Sequence, residues 1–257
     1  MTFTGERLPG GDEDFAVDLE RHLAPYRWLR ARAAGRSVLD AGCGEGYGAA
    51  LVAEVAAKVV AVDRPEAVTV AAARHRGPRL EYRALDLLRL DEVGERFDVV
   101  ASFQVIEHLP EPADFLAALG RRVAAGGMLI VTTPNRLMTV SENPYHLREW
   151  TAPELRALAR PVLPGVRVLG VHVSERVLAY ERARGAQVRR LLRWDPLGLR
   201  RLAPDVVVRR VFPWLARVVR RRVRGADGGP RIGPEDFAIH GNDLDRALDL
   251  VLLVGAE

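Results

Sequence analysis

The sequence predicts an α/β protein built on a doubly wound, mostly parallel sheet, and three observations carry that prediction. From residue 37 onward, short apolar strand-like runs alternate with helix-like segments. The first run, Val38-Leu39-Asp40, leads into Ala41-Gly42-Cys43-Gly44-Glu45-Gly46-Tyr47-Gly48, a turn with glycine at every second position that opens a helix. The second run, Lys58 to Asp63, ends in an acidic residue at the carboxyl end of its strand, the edge where such sheets bind ligands.

Ahead of the sheet, Phe15, Leu19, Leu23, Tyr26 and Leu29 recur at helical spacing, so an amphipathic helix is expected from Asp14 to about Ala33, interrupted near Pro25. A strand at 37–40, an Ala-rich helix at about 46–57 and a strand at 58–63 form a βαβ unit. Pro65 opens a helix to about His75. Strands follow at 79–84, 97–103 and 128–133, with a helix at about 112–124 between the last two. After Pro134 a loop runs to about Trp150, and Thr151 with Glu154 makes a capping box that starts another helix. A strand at 166–173, a helix near 242–248 and a strand at 249–255 bring the count to seven strands. Residues 174–235 break the alternation, with Pro196, Pro204 and Pro213 among Arg-rich stretches. The domain reading is therefore an N-terminal lid or helix at 1–34, a sheet domain at 35–173 plus 236–257, and a helical, Arg-rich insertion at 174–235 before the last strand.

With 257 residues, 48% hydrophobic and 28% charged, the composition excludes a disordered or fibrous chain. The longest apolar runs, such as Leu250 to Val254, fall far short of the roughly 20 residues of a membrane span. Residues 1–30 lack the basic start and apolar stretch of a secretory signal. The single cysteine, Cys43, excludes an internal disulfide and a cysteine-built metal site. A cytoplasmic location is expected. Of 38 basic residues only Lys58 is lysine, and 174–235 holds 16 arginines against six acidic residues although the whole chain is only +4. A basic attachment thus sits on a mildly acidic domain, which suits an anionic partner.

The glycines of the turn let backbone approach a ligand closely and adopt positive φ. Taken alone, the pattern also fits an ordinary tight turn or a nicotinamide site of the Gly-x-Gly-x-x-Gly kind. Here the spacing is Gly-x-Gly-x-Gly after the acidic Asp40, and Asp63 is placed to bind a ribose diol. Together these residues resemble the class I S-adenosylmethionine-dependent methyltransferases, over about residues 35–173 plus the last strand. The resemblance implies a Rossmann-like sheet and S-adenosylmethionine as cofactor. It implies that Asp40, Gly42, Gly44 and Gly46 line the methionine and ribose part and that Asp63 takes the ribose hydroxyls. Ala84-Leu85-Asp86-Leu87 looks like the adenine-side motif, with Asp86 accepting from the adenine amino group and Leu87 beside it. Phe97 to Phe103 running into Gln104-Val105-Ile106-Glu107-His108-Leu109 is similar to the segment that closes under the methionine end. A nucleotide-binding oxidoreductase or a non-catalytic relic are the other readings.

Phe3-Thr4-Gly5-Glu6-Arg7-Leu8-Pro9 resembles the start of bacterial methyltransferases associated with glycan and polysaccharide synthesis, those of mycobacterial methylglucose lipopolysaccharide synthesis above all. These also carry Phe-Gln-Val-Ile-Glu-His, an Asn-Pro-x-His-x-x-Glu loop, a basic insertion and a similar ending. The resemblance implies O-methylation of a sugar hydroxyl, with Arg7 and Tyr26 folding over the cofactor as a lid; otherwise Arg7 is a surface charge. A small aromatic or quinone-like acceptor is the second enzyme reading, and a non-catalytic polyanion-binding module the reading from another class.

Methyl transfer from a sulfonium is an in-line displacement, and a weakly acidic hydroxyl needs a base or a metal. His108 and His146, the latter in Asn143-Pro144-Tyr145-His146, are the candidate bases. The alternative for His108 is a packing role under the cofactor. If their turn is helical, Gln104, Glu107 and His108 share one face, and His146 would complete a site for Mg²⁺ or another divalent ion. This pair of motifs resembles small-RNA 2′-O-methyltransferases, where Glu-x-x-Glu-His and a later His hold a metal; here Gln104 stands at the first glutamate. Without a metal, Gln104 contacts the methionine end of the cofactor and a histidine acts as base.

Val206 to Arg224 alternates apolar clusters with arginines and includes Phe212 and Trp214. The segment reads as a solvated helical face, or as a helix meeting a membrane surface or lipid-linked substrate. Attraction to RNA is the third reading, but no RNA-recognition signature accompanies it, so nucleic acid is not expected. The insertion is expected to shape the acceptor pocket or a homo-oligomer interface.

Overall fold

The computed structural model of the chain describes residues 15–139, 143–192, 205–224 and 231–255. Helix α1 (Ala16–Arg30) precedes β1 (Ser37–Ala41), α2 (Tyr47–Ala53), β2 (Lys58–Asp63), α3 (Pro65–Arg74) and β3 (Leu80–Ala84). Then come β4 (Phe97–Phe103), α4 (Pro112–Arg121), β5 (Val123–Pro134), α5 (Ala152–Ala159) and β6 (Arg167–Val173). The expected insertion contains α6 (Glu175–Leu192) and α7 (Asp205–Arg224), and β7 (Phe237–His240) and β8 (Asp249–Val254) follow it.

These strands form one sheet in the order β3-β2-β1-β4-β5-β8-β6-β7. β1 to β5 run parallel, while β8 lies antiparallel between β5 and β6. Among the described residues the sheet has eight strands, against the expected seven. The extra one, β7, pairs antiparallel with β6 from Gly170↔His240 to Val173↔Phe237. Its four residues carry little local signal, because its hydrogen-bond partners lie across the whole insertion. The helix expected at 242–248 is absent as well. Asp243 adopts a left-handed φ of 48° ahead of a short 3₁₀ turn, Leu244–Arg246, and the Asn135 side chain donates to the carbonyls of Leu244 (2.9 Å) and Ala247 (2.8 Å). The longer helices expected at 46–57 and 112–124 stop at Ala53 and Arg121.

Because both faces of the parallel strands are covered, the strands read as continuous apolar runs. Leu39, Val60, Val100, Leu129 and Leu252 pack on one face with Phe115, Leu116 and Leu155 of α4 and α5. Val38, Val59, Val99, Ile130 and Leu253 pack on the other with Tyr26, Leu29, Ala49 and Val52 of α1 and α2. A third cluster, Val17, Val177, Leu178, Tyr180 and Leu248, joins α1 to α6.

Helix α1 runs unbroken through Pro25, against the expected interruption. Of the expected inward stripe, Phe15, Tyr26 and Leu29 are buried while Leu19 and Leu23 are half-buried, and Val17, Ala24 and Pro25 join the inward face in their place. Among the described residues no helix is long and apolar enough to cross a membrane. Chain order reverses between β1 and β4, which opens a crevice at their carboxyl ends, the usual ligand position in such sheets.

Candidate active site

The glycine turn forms one lip of this crevice, and its four glycines have different reasons to be there. A Cβ on Gly42 would lie 2.3 Å from Val105 Cγ2, one on Gly46 would lie 2.5 Å from the Tyr82 hydroxyl, and one on Gly48 would enter the Tyr26 ring at 2.2 Å. Those three make room for the protein itself. Gly44, at φ +55°, differs: a Cβ there would meet nothing within 4 Å among the described residues. It is the glycine of the turn whose open side faces space a ligand can fill. Asp63 fixes it in place: one carboxylate oxygen accepts from the Gly44 amide at 2.8 Å and the other from the Arg64 amide at 2.7 Å. A carboxylate offers about four lone-pair positions, so capacity is left for a diol.

Asp40, 1% exposed, sits beneath the turn and accepts hydrogen bonds from the Tyr26 hydroxyl at 3.2 and 3.1 Å. Burial pushes its carboxyl up to about 7, and the charge of Asp63 adds to this, while the Tyr26 hydrogen bond works against it. Tyr26 stands edge-on to Phe103 at 4.6 Å and to Tyr47 at 6.3 Å. Of the expected lid pair, Tyr26 therefore lies over Asp40, and Arg7 lies outside the described residues. Asp86 is exposed and accepts from the Leu88 amide at 3.0 Å, capping a 3₁₀ turn. Leu87 Cδ1 would be 3.6 Å from a Cβ on Gly42, so it borders the turn.

Gln104 begins the opposite lip. Its φ of 57° is left-handed, a strained conformation for a residue with a side chain and one that gathers at functional sites. Its amide N–H bonds Thr132 O at 3.0 Å and its side chain reaches Thr132 Oγ1 at 3.4 Å. The following turn, Ile106–His108, is 3₁₀ and starts after Gln104, so Gln104 does not join Glu107 and His108 on one helical face.

What does come together is Glu107, His108 and His146, whose donor atoms all lie within 4.8 Å of one another. Glu107 is 1% exposed; its Oε2 accepts from Thr133 at 3.1 Å, and its buried Oε1 has no hydrogen-bond partner among the described residues. Burial pushes this carboxyl up to about 8. The Glu107 carbonyl accepts from the amides of Leu147 (2.8 Å) and Arg148 (3.3 Å), which pins the 143–150 loop against the turn. His108 Nδ1 lies 2.9 Å from the Tyr145 carbonyl, which can only accept, so Nδ1 carries the proton and Nε2 the lone pair. His146 is held at both nitrogens, by Glu149 at 2.6 Å and by the Asn143 amide at 2.9 Å. The two imidazoles meet edge-to-face at 4.9 Å. An orphaned carboxylate oxygen beside two imidazoles fits a divalent ion that accepts nitrogen, provided His146 releases one partner.

Three residues of α1 escaped the sequence reading. His22 Nδ1 lies 3.4 Å from the Tyr47 hydroxyl, and burial holds the ring down at about 4, with His108 and Arg21 contributing in the same direction. Arg21 donates to Asp249 at 2.8 Å and to the Leu248 carbonyl at 3.1 Å. Asp18 accepts from Arg184 at 3.0 Å and from Arg220 at 2.8 and 2.9 Å. The spacing of Asp18, Arg21, His22 and Tyr26, a polar stripe at i, i+3, i+4 and i+8, was the available signal.

Comparison with known proteins bears on this geometry. Residues 39–131 match the methyltransferase domain family. A "Probable S-adenosylmethionine-dependent methyltransferase" of Mycolicibacterium smegmatis is 44% identical over 164 residues, covering 62% of this chain and 63% of that protein. The chain thus spans under two thirds of that relative's length. A "Ubiquinone biosynthesis O-methyltransferase" of Pseudomonas fluorescens is 37% identical over 115 residues, 42% of this chain and 50% of that one. A crystal structure from Bacillus halodurans, of a protein assigned to the methyltransferases, superposes with TM-score 0.52 at 17% identity over 91% of this chain and 97% of that one, which speaks to fold alone. The glycine turn, the carboxyl end of β1 and the whole of β4 lie inside the matched segment, so residues 39–131, which hold them, are similar to a methyltransferase domain.

Proposed function

We propose that the protein is a cytoplasmic O-methyltransferase that moves a methyl group from S-adenosylmethionine to a sugar hydroxyl of a saccharide or polysaccharide precursor. The observation that carries the reading is the adjacency, along one sheet edge, of an open glycine cradle at Gly44 and a Glu107–His108–His146 cluster in which the glutamate is buried and the imidazoles half-buried.

In this reading Asp40, Gly42, Gly44 and Gly46 hold the methionine and ribose part of the cofactor. Asp63 takes the ribose hydroxyls, Asp86 and Leu87 border the adenine, and Gln104 and Tyr26 close on the sulfonium end. The acceptor oxygen attacks the methyl carbon in line with the departing sulfur. A C–O bond forms as the C–S bond breaks, the electron pair stays on sulfur to give S-adenosylhomocysteine, and the hydroxyl proton passes to His108 Nε2. The Tyr145 carbonyl supports this by fixing the tautomer. His146, locked between Asn143 and Glu149, orients the loop. If a divalent ion is held, Glu107, His108 and His146 are its ligands, and it would acidify the acceptor hydroxyl as a Lewis acid. The orphaned Glu107 Oε1 supports that version. The sugar acceptor rests on the resemblance of the 3–9 leader. Likeness to a ubiquinone biosynthesis O-methyltransferase favours an aromatic acceptor as the second reading.

The test is an acceptor screen by mass spectrometry, with S-adenosylmethionine and saccharides, phenols or RNA, each with EDTA or added Mg²⁺ or Mn²⁺. A saccharide gaining one methyl supports the first reading, and a phenol doing so instead replaces it with the second. Loss of turnover in EDTA, restored by metal, makes Glu107, His108 and His146 ligands. Bound cofactor with no S-adenosylhomocysteine from any acceptor or cell extract would favour a binding module.

A further inference from the structure

Helix α7 has two flanks. Toward the protein, Val219 is buried, Val223 packs into the third apolar cluster, and Arg220 is drawn onto Asp18, with its guanidinium 4.6 Å from the Phe15 ring centre. On the other flank Trp214 is 64% exposed and Leu215 38% exposed. Arg221 and Arg222 are exposed as well. Trp214, Leu215, Val218, Arg221 and Arg222 stand at i, i+1, i+4, i+7 and i+8, so they form one outward stripe of about two turns.

A helix face that only meets water has no use for an exposed tryptophan beside an exposed leucine. Self-association through this face would set arginine against arginine, since α7 carries seven arginines and one acidic residue, Asp205. Apolar rings and chains at the level of arginines suit the boundary between lipid headgroups and acyl chains: the guanidinium groups reach phosphates while the indole and leucine enter below them. The excess of 16 arginines over six acidic residues across 174–235 gives the complementary charge. We propose that the outward stripe of α7 docks on an anionic bilayer surface, with the helix lying in the interface and not crossing it. The opposite flank meets the start of α1 through Arg220 on Asp18 and Phe15, so docking leaves α1 behind α7, about one helix diameter from the membrane. This inference stands on α7 and is independent of the proposed reaction.

The experiment is co-sedimentation of the purified full chain with vesicles of phosphatidylglycerol in phosphatidylcholine and with vesicles of phosphatidylcholine alone. Binding to the anionic vesicles only, weakened by salt, is expected. The double variant Trp214→Ser/Leu215→Ser and the double variant Arg221→Ser/Arg222→Ser should each lower vesicle affinity about tenfold or more, whereas Trp214→Phe should retain most of it. The control variant Leu88→Ser/Leu137→Ser, exposed leucines elsewhere, should bind as the parent does. Thermal melts unchanged among these variants show that folding is not the cause. No binding to anionic vesicles overturns the proposal, as does binding that both α7 double variants leave intact. A dimer in sedimentation velocity that Trp214→Ser dissolves, or RNA displacing the protein from vesicles through the same residues, assigns the face to another partner and equally overturns it.

Discussion

On the β1–β4 side of the crevice the chain is fixed by backbone: glycine turn, Asp63 on the Gly44 amide, and Gln104 in a left-handed conformation against Thr132. On the α1 side the chain is fixed by half-buried charge pairs. Asp18 sits between Arg184 and Arg220, and Arg21 pairs with Asp249, whose side chain is 2% exposed. The two walls meet where Tyr26 reaches Asp40 and lies against Gly48, and where His22 approaches the Tyr47 hydroxyl. The difference teaches which wall can be loosened separately. Hydrogen bonds within a tightly paired sheet fail together, while a charge pair fails when one partner is removed and leaves the other stranded.

The largest expected effect tests the charged wall. Arg21→Ala strands the buried Asp249 carboxylate and should cost about 3–5 kcal/mol, the range for breaking a buried pair. Hydrogen exchange should show protection lost first in α1 and α6, with β1 to β5 still protected; uniform loss would erase the distinction between the walls. Next comes the seam. Gly48→Ala drives a Cβ into the Tyr26 ring and should cost about 3 kcal/mol by overpacking, most of it recovered in the Gly48→Ala/Tyr26→Ala double variant. Additive melts in that cycle would mean that Tyr26 does not rest on Gly48.

Smaller still is Tyr26→Phe, which removes the donor to Asp40 and should weaken cofactor affinity by about 1.5 kcal/mol, roughly tenfold, measurable by calorimetry. The same site gives a pH signature. With its folded pKa raised from 3.8 to about 7, Asp40 keeps in the folded state a proton that the unfolded chain releases. That contribution is fully present below about pH 4, is lost as pH rises toward 7 and is flat above it. Asp40→Asn lacks it, so the variant's melting temperature should gain on the parent's between pH 4 and 7; parallel curves would contradict a buried, raised carboxyl. The smallest effect is at the exposed end of α1: Arg30→Ala, losing an exposed pair with Glu54, should change stability by less than about 0.5 kcal/mol.

The glycine lip was legible because its residues are close in sequence. Asp40 to Gly48 and Asp63 declare a strand, a turn and an acidic strand end within two dozen positions, and the structure puts them on one crevice. The Glu107–His108–His146 cluster was also reachable, since each member lies in a short motif at a strand's carboxyl end. Gln104 was misplaced because one left-handed residue rotates it off the face that helical counting assigns. His22, Arg21 and Asp18 were passed over because the apolar residues of α1 suggested Leu19 and Leu23 as the buried side.

By itself, then, the sequence determined the parallel sheet, the glycine cradle, the acid and histidine motifs and the basic character of 174–235, all of which follow from local periodicity, local turn geometry or simple charge. Only the tertiary structure decided that β7 adds an eighth strand, that Gly48 serves Tyr26 and not a ligand, and that α1 turns a half-buried charged stripe toward distant partners. Each of these depends on a partner far along the chain: β6 for β7, α1 for Gly48, and Arg184, Arg220 and Asp249 for the stripe. A polar group can be buried only where such a partner meets it, and nothing in its own neighbourhood announces that the partner exists.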